Sequence, residues 1–448
     1  MEPVRTGATG PRPASAAGRP RHLEQRAAAA LRRVTGSALG RYQSAVIRIG
    51  FAGTWLLFLL REVPHRHELY GPEGPWSWDM AQQLIAKNSA FSALMWSDST
   101  VWFEIVYAVA VVSSALLMLG WRTRTMSVLF MFGVLSLQNR SIFMGDGGDN
   151  VIHLMAIYLV LTRCGQVWSL DARRAARAAR RTEISAGTGG PDPSGPAGAG
   201  AADAVRSAVR DRVGPVLWAV TGTVLLVGTL TDRVQAETWL LALFWGAWAV
   251  QGLWWAVNRR APHGEPRALL DVLANLIHNA ALAVIMAEVC LIYATAGWYK
   301  IQGSRWQDGT ALYYPLKLDY FAPWPALSDL FASSALVVMV LTYGTVIVQV
   351  AFPFTLFNRR VKNVLLVAMI LEHAGIAVLL GLPFFSLAMI AADAVFLPTV
   401  FLLWLGGRTT AVYDRLRQRL PGRRRPLAGA AAPPGQRQES SEQPRTLV

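Results

Sequence analysis

Apolar residues run along this chain in blocks of roughly 17 to 25, each long enough to cross a hydrocarbon core of about 30 Å as a helix, and the blocks recur from residue 43 to residue 405. They are continuously apolar and rich in Leu, Val and Ala. Strands of a membrane barrel would instead alternate over about ten residues. The pattern predicts an all-α polytopic transmembrane bundle of about ten helices, near 43–61, 101–120, 126–138, 150–164, 215–231, 238–257, 271–298, 331–357, 363–381 and 384–405. The third block is short, as for a tilted or partly buried helix.

Lys and Arg alternate between the intervening loops. The N-terminal tail, Arg122 with Arg124, the cluster Arg173 to Arg181, Arg259 with Arg260, Arg359 with Arg360 and Lys362, and Arg423 to Arg425 all fall on one face. The positive-inside rule makes that face the cytoplasm and puts both termini there. Residues 62–100, 139–149, 232–237 and 299–330 go to the outer face, which carries several Trp suited to an interfacial belt.

The organisation that follows is a disordered basic tail over 1–41, a first four-helix part over 42–170, and a flexible cytoplasmic linker over 171–212. A further helix pair covers 213–260, a second helical part 261–405, and a disordered basic tail 406–448.

Composition strengthens this picture: of 448 residues 53% are hydrophobic and 16% charged, more apolar surface than a soluble domain carries. The net charge of +15 sits in the flanking segments and lacks aromatic interleaving or zinc spacing, so topology explains it and nucleic acid is not an expected partner. Cys164 and Cys290 lie far apart in this topology and read as free thiols.

Ionisable groups inside membrane helices are costly and are site candidates by default. Here they are Arg48, Glu104, His153, His278, Glu288, Lys300, Glu372, His373 and Asp393. Arg48, Glu104 and Asp393 read as structural ion pairs or snorkelling ends, and His278 as a satisfied packing histidine. No ligand spacing points to a metal. Lys300 follows the seventh block amid Trp298, Tyr299 and Trp306; it reads either as an interfacial anchor or as a desolvated general base. The run Gly145 to Asn150 reads as a turn in which Asp149 or Asn150 caps the fourth helix, with a ligand loop or a calcium site as the alternative.

The stretch Tyr293, Ala296, Gly297, Trp298 and Lys300, followed by Trp306, Gln307, Asp308 and Gly309, resembles the vitamin K-dependent gamma-carboxylase family and its bacterial relatives with the horizontally transferred transmembrane (HTTM) domain. In that family an Ala-Gly-x-x-Lys run, then a Trp and an acidic-Gly pair, carries the lysine held to deprotonate vitamin K hydroquinone. Lys300 falls on it. Asp149-Asn150 through Asp171 and Glu372-His373 through Phe384-Phe385 agree as well, so the likeness spans most of 43–405. The resemblance implies catalytic roles for Lys300 and His373. It implies cofactor or substrate contacts for Asn150, His153, Trp298, Trp306 and Asp308, and a reduced quinone of menaquinone or vitamin K type. The family's Asn-His pair is a departure here: Val151 follows Asn150, and His153 stands about a turn further along. The large lumenal domain of the family's carboxylases is also expected to be missing.

Two functions are therefore expected in competition. One is a quinone-dependent, carboxylase- or epoxidase-like enzyme acting on an unknown outer-face substrate. The other is a non-catalytic accessory protein for maturation or export of a secreted peptide. A transporter is disfavoured by the absence of paired broken helices, although Glu288 and Glu372 keep it open. The Arg, Ala and Gly content suggests a bacterial plasma membrane.

Overall fold

The computed structural model describes residues 18–187, 213–231, 238–261 and 264–419. It is all-helical, with no strand among the described residues. The main helices are α1 (Gly18–Gly36), α2 (Arg41–Glu62), α3 (Trp78–Asn88), α4 (Thr100–Leu119), α5 (Thr123–Arg140), α6 (Gly147–Leu161), α7 (Leu170–Gly187) and α8 (Val213–Leu230). They continue with α9 (Thr238–Arg260), α10 (Glu265–Gln302), α11 (Pro325–Ala332), α12 (Ala335–Ala351), α13 (Arg359–Leu379), α14 (Pro383–Asp393) and α15 (Thr399–Arg419).

Among the described residues seven stretches are long and apolar enough to cross a membrane: Arg41–Tyr70, Thr100–Leu119, Val213–Leu230, Thr238–Arg260, Glu265–Gln302, Ala335–Thr355 and Arg359–Leu379. An eighth is added if Pro383–Phe396 and Thr399–Val412 are one broken span. Such an inventory is that of a multi-pass membrane protein. Three of the ten expected crossings fall short by themselves: α14, with 11 residues, which passes only together with Thr399–Val412, and α5 and α6. α5 has Arg124, Gln138, Asn139 and Arg140 near its ends. α6 has 15 residues, a rise of about 22 Å against a core of about 30 Å.

Three segments expected to lack structure are partly helical. Residues 18–36 of the expected N-terminal tail form α1, in which a run of alanines supplies helix propensity. Its C-terminal end is docked on α10: Asn275 Nδ2 donates to Thr35 O (2.9 Å), and Asn279 Nδ2 donates to Val34 O (2.8 Å) and Ser37 O (3.0 Å). These amides satisfy carbonyls that a helix end leaves open. The alanine- and arginine-rich start of the expected linker forms α7, and the start of the expected C-terminal tail lies within α15. The remainder of those expectations lies outside the described residues.

The core gathers around α14, which packs on α2, α6 and α13. α2, α4, α5 and α6 form one group, and α10, α12 and α13 pack in sequence as a second. α8 and α9 form a hairpin whose Trp218 and Trp248 rings stack at 4.3 Å, each indole N–H donating to the other residue's backbone oxygen at 3.0 Å.

Arg48 corrects its expectation of an ion pair or snorkelling end. It is fully buried and donates to the oxygens of Leu117 (2.6 Å), Met118 (2.9 Å) and Trp168 (2.8 Å). A cation is favourable there because it meets the carbonyl end of α4. Glu104 is an ion-pair partner, 2.7 Å from Arg66 and 2.8 Å from His67.

Candidate polar site within the helical bundle

α10 carries Lys300 in its last turn, and Lys300 Nζ donates to Gln349 Oε1 on α12 at 2.7 Å. Gln349 Nε2 in turn donates to Glu372 Oε1 on α13 at 2.5 Å. Three helices are thus joined by one chain of polar side chains. The ammonium also lies 5.3 Å from the centre of the Trp306 ring, a cation–π contact. Gly297, about one turn before Lys300, makes the close approach possible: a Cβ there would meet Val350 Cγ2 at 2.5 Å.

Two turns before Lys300 on α10, Tyr293 stands in a second polar group. Its hydroxyl donates to Asp393 Oδ1 on α14 at 3.0 Å and lies 3.0 Å from His373 Nε2 on α13. With the hydroxyl proton directed to Asp393, His373 donates through Nε2–H and leaves Nδ1 as an acceptor. Tyr293 is 1% exposed, His373 2% and Asp393 0%, so the trio is sealed from solvent. His373 Nδ1, Asp393 Oδ2 and Ser386 Oγ have no hydrogen-bond partner among the described residues. Unpaired buried polar atoms are costly and call for an explanation. Lys300 is near enough to act electrostatically on Glu372 and His373, and Glu372 on Tyr293 and Asp393.

Asn150 and His153 belong to another place. They border a cavity of about 160 Å³, lined also by Trp55, Phe58, Tyr70 and Gln138. His153 Nδ1 lies 3.0 Å from Gln138 Oε1, which only accepts, so the ring proton is on Nδ1. The expected cap of α6 is corrected: Asp146 is the capping residue, accepting from Gly148 N and Asp149 N, while Asp149 returns a bond to Asp146 N–H. Asp149 sits three positions into the helix, where a capping box needs its acidic partner.

Phe384 and Phe385 connect the two places. Phe384 packs on Phe58 of the cavity wall with centroids 5.6 Å apart, and Phe385 packs on His373 at 5.5 Å. Gly148 lets α6 approach α14, since a Cβ there would come within 2.7 Å of Phe385 Cα.

Trp298 and Asp308 join neither group. Trp298 is 62% exposed. Asp308 accepts from Thr310 and lies 3.7 Å from Arg305; the Thr310 hydroxyl holds its carboxyl below the usual range. His278 has both ring nitrogens satisfied, Nδ1 by Arg163 N–H at 2.9 Å and Nε2 by Leu39 O at 2.8 Å, and is a packing histidine as expected. Cys164 and Cys290 are free thiols. Among the described residues no three His, Cys, Asp or Glu side chains form a metal-binding group.

Tyr293 and Gln349 were not singled out as site residues, and Asp393 was read as structural. Tyr293 stands inside the motif around Lys300, and Gln349 is the one amide in a helix whose other polar side chains are hydroxyls; that isolation is a usable signal.

No protein-family model, no curated protein and no solved structure matches this chain. The functional reading therefore rests on the residues of the site.

Proposed function

We propose that this chain is a multi-pass membrane enzyme of the gamma-carboxylase-like HTTM kind, with Lys300 as general base and His373 as its buried partner, acting on a reduced quinone. The observation that carries the reading is the pairing of an oriented amine with unpartnered acceptors inside a helical bundle: Lys300 held on Gln349, and His373 Nδ1 and Asp393 Oδ2 left open. A reduced quinone presents a flat apolar ring with two hydroxyl donors. The open acceptors fit the hydroxyls, and the rings of Phe385 and Tyr293 beside His373, with Phe352 packed on Tyr293, fit an apolar ligand. His373, Asp393 and Lys300 are the residues that would hold it.

When bound, such a quinone supplies reducing electrons and an acidic hydroxyl. Lys300 acts by taking a proton at Nζ once it holds a neutral amine. Gln349 fixes the position of that nitrogen, and Glu372 at the far side of the amide balances the charge that results. Tyr293 keeps His373 in the Nε2–H form, so that Nδ1 faces outward from the trio as an acceptor. The surrounding apolar residues exclude water and strengthen each of these contacts.

On this reading α2, α4, α5, α6, α8, α9, α10, α12 and α13, with Pro383–Phe396 and Thr399–Val412 counted together, make ten crossings of a bacterial plasma membrane. Both termini are cytoplasmic, and Lys300 works toward the outer face. The departure at Asn150 favours the second reading, an accessory protein for maturation or export of a secreted peptide: Asn150 is exposed, and His153 is turned to Gln138.

The test is quinone epoxide formation by purified protein supplied with reduced menaquinone or vitamin K and oxygen. Wild type is expected to give product, and Lys300→Ala and His373→Ala to lose about 10²-fold or more, the usual contribution of a general base. No product from folded, quinone-loaded wild type would sink the enzyme and leave the accessory role.

A further inference from the structure

Three guanidinium groups from separate parts of the chain meet on one indole. Arg124 of α5 lies 3.8 Å from the centre of the Trp254 ring, Arg267 of α10 lies 4.9 Å away, and Arg163, just beyond α6, lies 5.9 Å away. One carboxylate serves the group: Asp271 accepts from Arg163 Nη2 at 3.0 Å and from Arg267 Nε at 2.8 Å. Arg163 also donates to Asn275 Oδ1 at 2.6 Å, and Arg267 donates to Asn258. Arg124 is exposed, and its guanidinium has no hydrogen bond or ion pair among the described residues. The other acid in the neighbourhood, Asp171, is engaged in capping α5, accepting from Arg122 N–H and Thr123 N–H at 2.9 and 2.8 Å.

Like charges gathered around a ring with a single counter-charge leave an unmet demand for an anion, most of all at Arg124. The surroundings identify its source. Leu253 and Trp255 of α9 and Leu269 and Leu273 of α10 are exposed apolar residues flanking Trp254 and Arg267. A free phosphate has no use for them, whereas acyl chains do. Basic clusters between helices at a membrane boundary are suited to anionic headgroups.

We propose that Arg124, Arg163 and Arg267, arranged around Trp254, form a binding site for the phosphate headgroup of an anionic phospholipid, whose acyl chains lie on α9 and α10. The site gives the pair α8–α9 a function: α9 brings the indole that gathers the arginines, and the lipid fastens that pair to α5 and α10. It is independent of the chemistry assigned to Lys300.

The test uses the full chain in neutral detergent, titrated with dioctanoyl phosphatidylglycerol, dioctanoyl phosphatidylcholine or inorganic phosphate. Bound adducts are read by native mass spectrometry and stability by thermal unfolding. The anionic lipid is expected to bind and to raise the unfolding temperature, with phosphatidylcholine and phosphate weak. Arg124→Gln should weaken binding about fivefold and Arg124→Gln with Arg267→Gln about 25-fold, following roughly 1 kcal/mol for each basic residue. Arg359→Gln with Arg360→Gln, which removes equal charge elsewhere, should change binding less than twofold. Equal losses in that control would overturn the site in favour of diffuse surface charge. Equal binding of the two lipids would overturn the headgroup assignment, and binding of phosphate as tight as that of the anionic lipid would overturn the lipid as its source.

Discussion

The Tyr293 hydroxyl and His373 Nε2 lie 3.0 Å apart although 80 positions separate them in the chain, and the same hydroxyl donates to Asp393, 100 positions from Tyr293. Removing that one oxygen unlinks three helices. Tyr293→Phe is expected to leave His373 Nε2 and Asp393 Oδ1 unpaired, lowering stability by about 1–3 kcal/mol. Quinone-dependent turnover should fall at least about tenfold. Thermal unfolding and product formation measured on one preparation check both, and an unchanged turnover in a destabilised variant would reduce the trio to packing.

Gln349 holds Lys300 without being placed to exchange a proton itself. Gln349→Ala should lower kcat about tenfold while KM stays within about twofold, because the nucleus of the effect is the position of Nζ. Gln349→Glu keeps an acceptor for the ammonium but sets a second carboxylate against Glu372, and should displace the pH profile of kcat, a change that a purely structural role would not produce.

Close helix approach at Gly148 gives a steric prediction. Gly148→Ala sets a methyl against the Phe385 backbone and is expected to destabilise by about 1–3 kcal/mol. Gly246→Ala on α9, where a Cβ meets nothing within 4 Å, should be neutral or stabilising by up to about 1 kcal/mol. Thermal unfolding of both in neutral detergent distinguishes a local clash from a general intolerance of substitution.

Arg48→Met would take this donor from the oxygens of Met118 and Trp168 in the core and leave that of Leu117 with Gly120 N–H alone. A loss of about 3 kcal/mol or more is expected, seen as reduced yield of monodisperse protein on size exclusion. Arg48→Lys should recover only part of it, since an ammonium does not reproduce the geometry of a guanidinium fork.

Apolar block length made α2, α4, α8, α9, α10, α12 and α13 legible, because lipid imposes a length that sequence shows directly. Polar residues in apolar surroundings likewise marked Lys300, Glu372, His373 and Asp393. What the sequence did not disclose is which of them meet. Lys300 and Glu372 are joined through Gln349, and His373 and Asp393 through Tyr293, and these pairings depend on helix rotation and crossing. The helical state of residues 18–36 was hidden for a related reason: α10 supplies the amides at its C-terminal end from more than 200 positions away. Asp146 was missed as a cap because the helix begins at Gly147, before the apolar run does.

The place of α14 has a consequence for biogenesis. α2 and α6 lie in the first part of the chain to leave the ribosome, yet the helix that fills the seam between them is encoded at 383–393. A Cβ at Gly50 of α2 would fall 2.5 Å from Ala391 Cβ, so this contact has no slack and no earlier helix substitutes for it. The early helices must therefore wait in the bilayer with one face unmatched until synthesis is almost finished. Chains that stop short of α14 present that face, together with a Tyr293 that has lost Asp393, as a ready mark for membrane proteolysis.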